Sequence, residues 1–378
     1  MEPGTEKNAP GQVRDAIIRV MQFSSDGLSA KQIAERVAKV NGQTPESSIR
    51  SYLRLNTPGV FVRERRGVYR LNTGDGGYLQ RPLADGSLWQ EPFHFEKATL
   101  VHGDCFDWLD TQEDNSIHAV VTDPPYGLQE YTPKEQSKLR NGKGGVWRIP
   151  PSYDGHSRAP LPRFTTLTAV QKAQLREFFF IWAKLLFPKL RPGANTLVAS
   201  NPLLVDIVSG ALSDAGLERR GAIIRLVMTM RGGDRPKAAH EEFDGVSVLP
   251  RSMWEPWVLF RKPIEGRVQD NLRKWQTGGF RCPSDSAPFG DVIRSAPTGK
   301  KEKAIAPHPS LKPQTFLREV VRGVLPLGKG VVVDPFAGAG STLAAAEAVG
   351  YASIGVERDP HYFDMATRAI EPLANLAT

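Results

Sequence analysis

Cysteine is almost missing from this sequence: 378 residues hold only Cys105 and Cys282. Two thiols cannot build a disulfide framework or a four-thiolate zinc site, so no metal is expected. Long apolar runs are missing too. The most apolar stretch, 178–190, is broken by Lys184 and Pro188 and falls short of the roughly 20 residues a membrane span needs. A basic start followed by an apolar core is also lacking, since Glu2, Glu6 and Pro10 stand at the N-terminus; no secretory signal and a cytoplasmic location are expected. What is present is an ordinary globular composition, 40% hydrophobic and 24% charged, which excludes wholesale disorder. The formal charge is +8 and the pI about 9.4. Such a surplus attracts polyanions but names none of them. The length exceeds the ~250–300 residues at which single cores stop growing, so two domains are expected.

Residues 1–72 read as a compact helical unit closed by a β-ribbon. Val13, Ile17, Ile18 and Met21 share one helical face, and Ser29 caps a second helix carrying Ile33, Ala34 and Val37. Thr44-Pro45 opens a third helix that turns Ile49, Tyr52 and Leu53 inward and Arg50 and Arg54 outward. Two apolar runs then flank Arg63-Glu64-Arg65-Arg66-Gly67, a hairpin with a basic tip. This is a winged helix-turn-helix pattern. It resembles the small winged-helix modules fused to bacterial restriction-modification and chromatin proteins. Its surplus of 12 Lys/Arg over 7 Asp/Glu makes Arg50, Arg54, Arg65 and Arg66 candidate phosphate contacts; a solvated face used for protein contacts is the alternative. Residues 73–92, rich in Gly, Asp and Pro, read as a linker.

From residue 93 to 378, strand-like runs at 98–101, 117–122, 195–200, 222–227, 256–260, 330–333 and 352–356 alternate with helical patterns at 169–187, 202–215, 313–324, 341–349 and 362–373. That order predicts an α/β domain: a Rossmann-like, mostly parallel sheet of seven strands covered by helices on both faces. The run Val331-Val332-Val333-Asp334-Pro335-Phe336-Ala337-Gly338-Ala339-Gly340-Ser341-Thr342 passes from a strand through a glycine-rich turn into a helix, the pattern of a nucleotide-type site. Seventeen residues after Gly340, Glu357 ends the next strand, where a carboxylate can accept hydrogen bonds from both ribose hydroxyls. A dehydrogenase would show a third glycine where Leu343 stands. Upstream, the strand at 117–122 ends in Asp123-Pro124-Pro125-Tyr126.

Asp-Pro-Pro-Tyr together with Phe-x-Gly-x-Gly resembles the amino-methyltransferases of DNA. With the tetrapeptide upstream of the glycine loop, the resemblance is to their permuted β-group and covers about 93–378. It implies S-adenosylmethionine as cofactor and double-stranded DNA as substrate. Asp123 and the Pro124 carbonyl would accept the two N–H groups of an exocyclic amine, Pro125 would stiffen the loop and Tyr126 would stack on the flipped base. It also implies that Asp104 and Cys105 lie beside the adenine of the cofactor. His308, Pro309 and Lys312 would stand near its methionine end, and Asp334, Phe336, Gly338, Gly340, Ser341, Thr342 and Glu357 would line the rest. The bland readings are a strand-end turn for Asp104, a proline-rich loop for 308–313 and strand-end packing for Asp334 and Phe336.

Two stretches, 127–164 and 228–305, lack sheet-and-helix rhythm and are expected to read DNA as target-recognition insertions. The first holds 7 Lys/Arg against 3 Asp/Glu, with Trp147 and Arg148 among them; the second includes Arg231 and Arg235. Asp123 favours adenine N6 as the target, since the N4-cytosine group, the alternative, usually has Ser there. A cytosine C5 mechanism needs a Pro-Cys nucleophile, which the order Cys282-Pro283 does not supply. A regulator that binds DNA without catalysis is the reading from another class, and intact motifs argue against it. The family admits a homodimer and a companion restriction endonuclease as partners.

Overall fold

The computed structural model of the chain describes residues 12–22, 24, 27–41, 44–55, 57, 61–71, 91–125, 167, 169–227, 236 and 239–377. Tyr126, the whole stretch 127–164 with Trp147 and Arg148, and Arg231 and Arg235 lie outside the described residues. Near the N-terminus, helices α1 (Gln12–Gln22), α2 (Ala30–Asn41) and α3 (Glu46–Leu55) precede strands β2 (Phe61–Arg65) and β3 (Val68–Leu71), and the two-residue β1 (Leu28–Ser29) pairs with β3. Ile17, Val20, Ile33, Val37, Ile49, Leu53 and Phe61 meet in one small core. The start of α2 is fixed by a reciprocal cap. Ser29 Oγ accepts from the Gln32 amide at 3.2 Å, and Gln32 Oε1 accepts from the Ser29 amide at 2.9 Å. Arg50, Arg54, Arg65 and Arg66 are exposed, and Arg50 pairs with Glu46 one turn earlier at 2.6 Å.

The large sheet comprises β4 (Phe93–Phe95), β5 (Ala98–His102), β6 (Ile117–Thr122), β7 (Leu190–Ala199), β8 (Glu218–Leu226), β9 (Trp254–Arg261), β10 (Val292–Arg294), β11 (Val331–Asp334) and β12 (Ala352–Glu357). Their order is β10-β8-β9-β7-β6-β11-β12-β5-β4. From β7 through β5 every pairing is parallel, while β9 and β4 run antiparallel to their neighbours. The architecture is the expected α/β one, but among the described residues the sheet has nine strands rather than seven. The two unexpected strands, β4 and β10, are three-residue edges, too short for an alternating pattern to register.

Every residue of β6 is buried, because helices cover both faces. Val120 packs with α4 (Cys105–Thr111), α5 (Ala169–Lys189) and α6 (Val205–Asp214). Ala119 and Val121 pack on the other side with α9 (Gln314–Val324) and α10 (Ser341–Ala348). That is why the strand reads as a continuous apolar run. The chain leaves β6 for β7 through α5 and leaves β11 for β12 through α10, so winding reverses between β6 and β11. Ligands of open α/β sheets bind outside the carboxyl ends of strands at such a reversal.

The stretch 228–305 holds the expected strand at 256–260, as β9, and beyond expectation the short β10 and two short helices, α7 (Val268–Trp275) and α8 (Lys300–Ile305). Their lengths of 8 and 6 residues give too few turns for helical periodicity to show. Buried polar bonding defines α7 instead: Asn271 donates to the carbonyls of Pro192 at 3.0 Å and Thr277 at 2.8 Å, and accepts from the Glu265 amide at 2.9 Å.

The N-terminal helices contact the large domain through charge. Arg36 on α2, with a side chain only 4% exposed, bonds Asp107, and its Nε lies 3.0 Å from Asp110, both on α4. Removing the guanidinium would take from Asp107 its bonded cation, while Asp110 would keep Lys39 at 2.5 Å. Arg36→Ala should therefore cost on the order of 2–3 kcal/mol, the low side of the range for a broken buried pair because both acids keep some solvent. Urea denaturation should show an earlier midpoint for this variant, and an unchanged midpoint would contradict the role given to the pair.

Candidate active site

The reversal point brings the two sequence motifs together. Asp123 follows β6 directly, and the adjacent β11 ends in Asp334. Thr122 Oγ1 donates to Asp334 Oδ1 at 2.6 Å, and the Phe336 amide donates to the same oxygen at 3.2 Å. Burial is the main influence on Asp334 and raises it to about 6; the hydrogen bonds from Thr122, Thr342 and Phe336 work in the opposite direction. A cavity at this point is lined by Asp123, His308, Lys312, Asp334, Phe336, Gly338, Ser341 and Thr342 among others. Residues far apart in sequence are thus gathered at one place.

The glycine loop divides its two glycines between two tasks. Gly338, at φ +53°, faces the cavity, and a Cβ there would stand 3.2 Å from His308 Nε2. Gly340, at φ +76°, precedes α10, and a Cβ there would come within 2.7 Å of Ile370 Cγ1. The second glycine lets α10 pack against α11 (Pro360–Ala374) rather than opening space for a ligand. Gln314 reaches over from α9 and donates to the Ser341 carbonyl at 2.9 Å. His308 sits against Tyr362 with ring centroids 4.4 Å apart. Its imidazole is pulled down to about 4, chiefly by burial and then by the charge of Lys312.

Glu357 ends β12 beside the loop. Its Oε2 accepts from the Gly338 amide and its Oε1 from the Asp359 amide, both at 2.7 Å. Removal from solvent lifts its carboxyl to about 7, against the pull of those two amides. One strand further, Asp104 caps α4 by accepting from the Phe106 amide at 2.9 Å, and Arg358 stands 3.7 Å away. Burial, then the nearby Asp107, raises Asp104 to about 6. Cys105 points into the core, and burial raises its thiol well above the ordinary range. Pro124 is buried, while Pro125 and Pro309 are exposed. Phe336 lies 5.9 Å from both Phe178 and Trp182, ring to ring.

The donor set fits a nucleoside-bearing ligand. An acidic strand end beside a backbone turn can hold vicinal hydroxyls, Gly338 allows close approach, and Asp104 offers a buried acceptor one strand away. Sequence reasoning missed Trp257, Leu317 and Ser310, which also line the cavity. It missed as well Glu255 and Arg225, which stand behind Lys312. Glu255 opens an apolar strand, and that lone acid inside a hydrophobic run was the available signal.

Residues 235–368 match the family model described as DNA methylase, of the N6/N4 type. The type II methyltransferase M2.DpnII of Streptococcus pneumoniae is 22% identical over 287 residues, 76% of this chain and 94% of its own length. M.HindIII of Haemophilus influenzae is 22% identical, covering 72% of this chain and 94% of its own. Among solved structures, the cytosine-N4-specific PvuII DNA methyltransferase aligns over 76% of this chain and 90% of its own at 15% identity and a TM-score of 0.49. The likeness to the N6/N4 DNA methylases thus falls on residues 235–368, and the two type II methyltransferases are similar to this chain over about three quarters of its length.

A carboxyl whose pKa is raised on folding costs stability progressively as pH rises from its unfolded value to its folded one, and in full above that, because the unfolded chain ionises more readily. For Glu357 that value is about 7. Glu357→Gln should accordingly raise the melting temperature of the ligand-free protein by a few degrees at pH 8. The gain should vanish at pH 4, where the carboxyl is protonated in the folded state and largely so in the unfolded one. Calorimetric melts of both proteins at the two pH values test this; an equal gain at both would contradict the assignment.

Proposed function

We propose that the protein transfers a methyl group from S-adenosylmethionine to the exocyclic N6 of a flipped adenine in double-stranded DNA. The observation that carries this reading is the juxtaposition of Asp123, at the end of β6, with the glycine loop and Asp334, at the end of β11. Asp123 of the first motif and Phe336 and Gly338 of the second thereby line one cavity. Bound there, S-adenosylmethionine supplies an electrophilic methyl group on a sulfonium.

The chain's own task is to make a poor nucleophile attack. An exocyclic amine delocalises its lone pair into the ring. Asp123 and the Pro124 carbonyl accept its two N–H groups and draw the nitrogen toward a tetrahedral shape. With the cofactor bound, its methyl group would be supplied to that nitrogen, and Asp123 would take up the surplus N–H proton of the methylated amine. Positioning and electrostatics suffice for such a direct displacement, and no covalent enzyme intermediate is needed. Glu357 serves the ribose hydroxyls, Asp104 the adenine amino group and His308 the methionine end. Tyr126 is assigned the flipped base on the strength of the motif alone.

The N-terminal unit is proposed to be a winged helix that docks on DNA. Its helix-helix-ribbon order and the exposed Arg54, Arg65 and Arg66 support this. Replacing those three arginines by alanine should weaken DNA binding and flatten its salt dependence by about 0.9 in log–log slope for each phosphate no longer neutralised. An unchanged slope in fluorescence titrations would favour a protein partner for this face.

The central reading is tested by incubating the protein with labelled cofactor and unmethylated genomic DNA, followed by nucleoside mass spectrometry. N6-methyladenine is expected, and N4-methylcytosine would overturn the choice of base while keeping the mechanism. Asp123→Ala should abolish methylation with cofactor affinity retained. Turnover by that variant would remove Asp123 from the chemistry.

A further inference from the structure

Lys312 is out of place for a methionine-end contact. It precedes α9, and its ammonium bonds Asp123 Oδ2 and lies 3.5 Å from Glu255 Oε1. All three side chains are largely buried, at 14%, 18% and 15% exposure. Glu255 is itself held from behind. Its Oε2 accepts from Arg225 Nη1 at 2.9 Å, and its Oε1 accepts from Trp257 Nε1 at 3.1 Å. Arg225 is fixed in turn by Ser295 Oγ at 3.0 Å, the Ala296 carbonyl at 2.9 Å and the ring of Phe316, 5.4 Å from its guanidinium carbon. Four charges of alternating sign thus run inward: Arg225 on β8, Glu255 on β9, Lys312 before α9 and Asp123 after β6.

Buried ionic chains of this sort add little net stability over apolar packing, because desolvating each charge offsets the attraction. Their dependable effect is to fix geometry, since each member is over-determined by its neighbours. At Lys312 burial is the largest influence and pulls its pKa down, yet Asp123 and Glu255 together leave it raised and the ammonium charged. Coulomb attraction keeps Glu255 ionised against its own burial.

We propose that Lys312 is the positioning residue for Asp123: it keeps that carboxylate ionised and aimed into the cavity as the acceptor for the target amine, and Glu255, braced by Arg225, holds the ammonium there. The inference rests on Asp123 being the amine acceptor, and it moves Lys312 from the cofactor side of the cavity to the base side. Among the described residues the charged groups around Asp123 are Lys312 before α9, Asp334 on β11, and Glu255 and Arg225 behind Lys312; His308, largely neutral, lines the same cavity. Lys312 is in direct contact with Asp123. Without that ammonium, the neighbouring Asp334 would weigh more and Asp123 would hold its proton to higher pH.

The test uses full-length Lys312→Met, Lys312→Gln, Lys312→Arg and Glu255→Gln, with Asp123→Ala assayed in parallel. Methyl transfer to unmethylated DNA is measured at saturating S-adenosylmethionine from acid to alkaline pH, and cofactor affinity by calorimetry. Lys312→Met and Lys312→Gln should lower kcat by about 10- to 100-fold, as removal of a supporting partner does at other sites. Their acid limb should move up by about one pH unit or more, with cofactor affinity unchanged. Lys312→Arg should bring the limb back, and Glu255→Gln should lower kcat without weakening cofactor binding. A Lys312→Gln protein that keeps wild-type kcat but binds cofactor poorly would return the residue to the methionine end and overturn the proposal. A fall in kcat with the limb unmoved would also overturn it, leaving only a structural role. Continued turnover by Asp123→Ala would instead mark failure of the underlying reading.

Discussion

One buried hydrogen bond, from Thr122 Oγ1 to Asp334 Oδ1 at 2.6 Å, ties the two halves of the site together. Thr122 is the last residue of β6 and Asp334 the last of β11, so the bond joins parallel neighbours just where each gives way to a functional loop. Asp123 follows one partner immediately; the glycine turn follows the other. The separation of Asp123 from the glycine loop is thereby set by strand pairing rather than by loop conformation. On the proposed reading this matters because in-line transfer depends on holding the reacting atoms near van der Waals contact, and such positioning can supply a large part of the barrier reduction. Asp334 reaches that place at the cost of desolvation, which raises it to about 6. Its donors come from the strand before, the loop after and the helix beyond, so the same residue organises all three.

The neighbouring strand ends repeat this arrangement. Asp104, Asp334 and Glu357 each end a strand or follow one closely, each is raised by burial, and each accepts from nearby amides or hydroxyls. Carboxylates of lifted pKa are poised to gain from hydroxyl and amino donors and from a positive centre. On the proposed reading the cofactor brings all of these. Lys312 contributes fixed positive charge to the same wall, and its pairing with Asp123 and Glu255 keeps that charge from repelling a sulfonium directly.

Much of this is legible in the sequence, and what is not has physical reasons. β6 and β11 announce themselves because both faces are covered and nearly every residue is apolar. The motifs at their ends are readable because their chemistry restricts residue type. Gly340 reads as a ligand-facing glycine because sequence shows that a Cβ is excluded but not what excludes it; here it is Ile370 on α11. Lys312 reads as a cofactor contact because its motif neighbour His308 lies there, whereas its ammonium extends to Asp123. Glu255 and Arg225 cannot be found by motif, since their meaning lies in a contact between β8 and β9 and a loop some fifty residues later. The short elements between 262 and 305 escape because they span too few turns or residues for a pattern, and α7 is defined by the buried amide of Asn271 rather than by periodicity.

The N-terminal helices enter the same electrostatics through α4. Asp104, proposed to meet the adenine of the cofactor, is the cap of that helix, and Asp107 in its first turn raises the proton affinity of Asp104. Arg36 from α2 bonds Asp107 and Asp110 and lowers the proton affinity of Asp104 in its turn. Without that guanidinium, Asp110 would keep Lys39 as partner, but Asp107 would lose its guanidinium next to a buried carboxylate already held near 6. Docking of the N-terminal helices therefore does more than join two pieces of chain. It offsets the acids in the first turns of the helix that Asp104 caps, so the stability of that contact and the proton affinity of Asp104 depend on the same side chain.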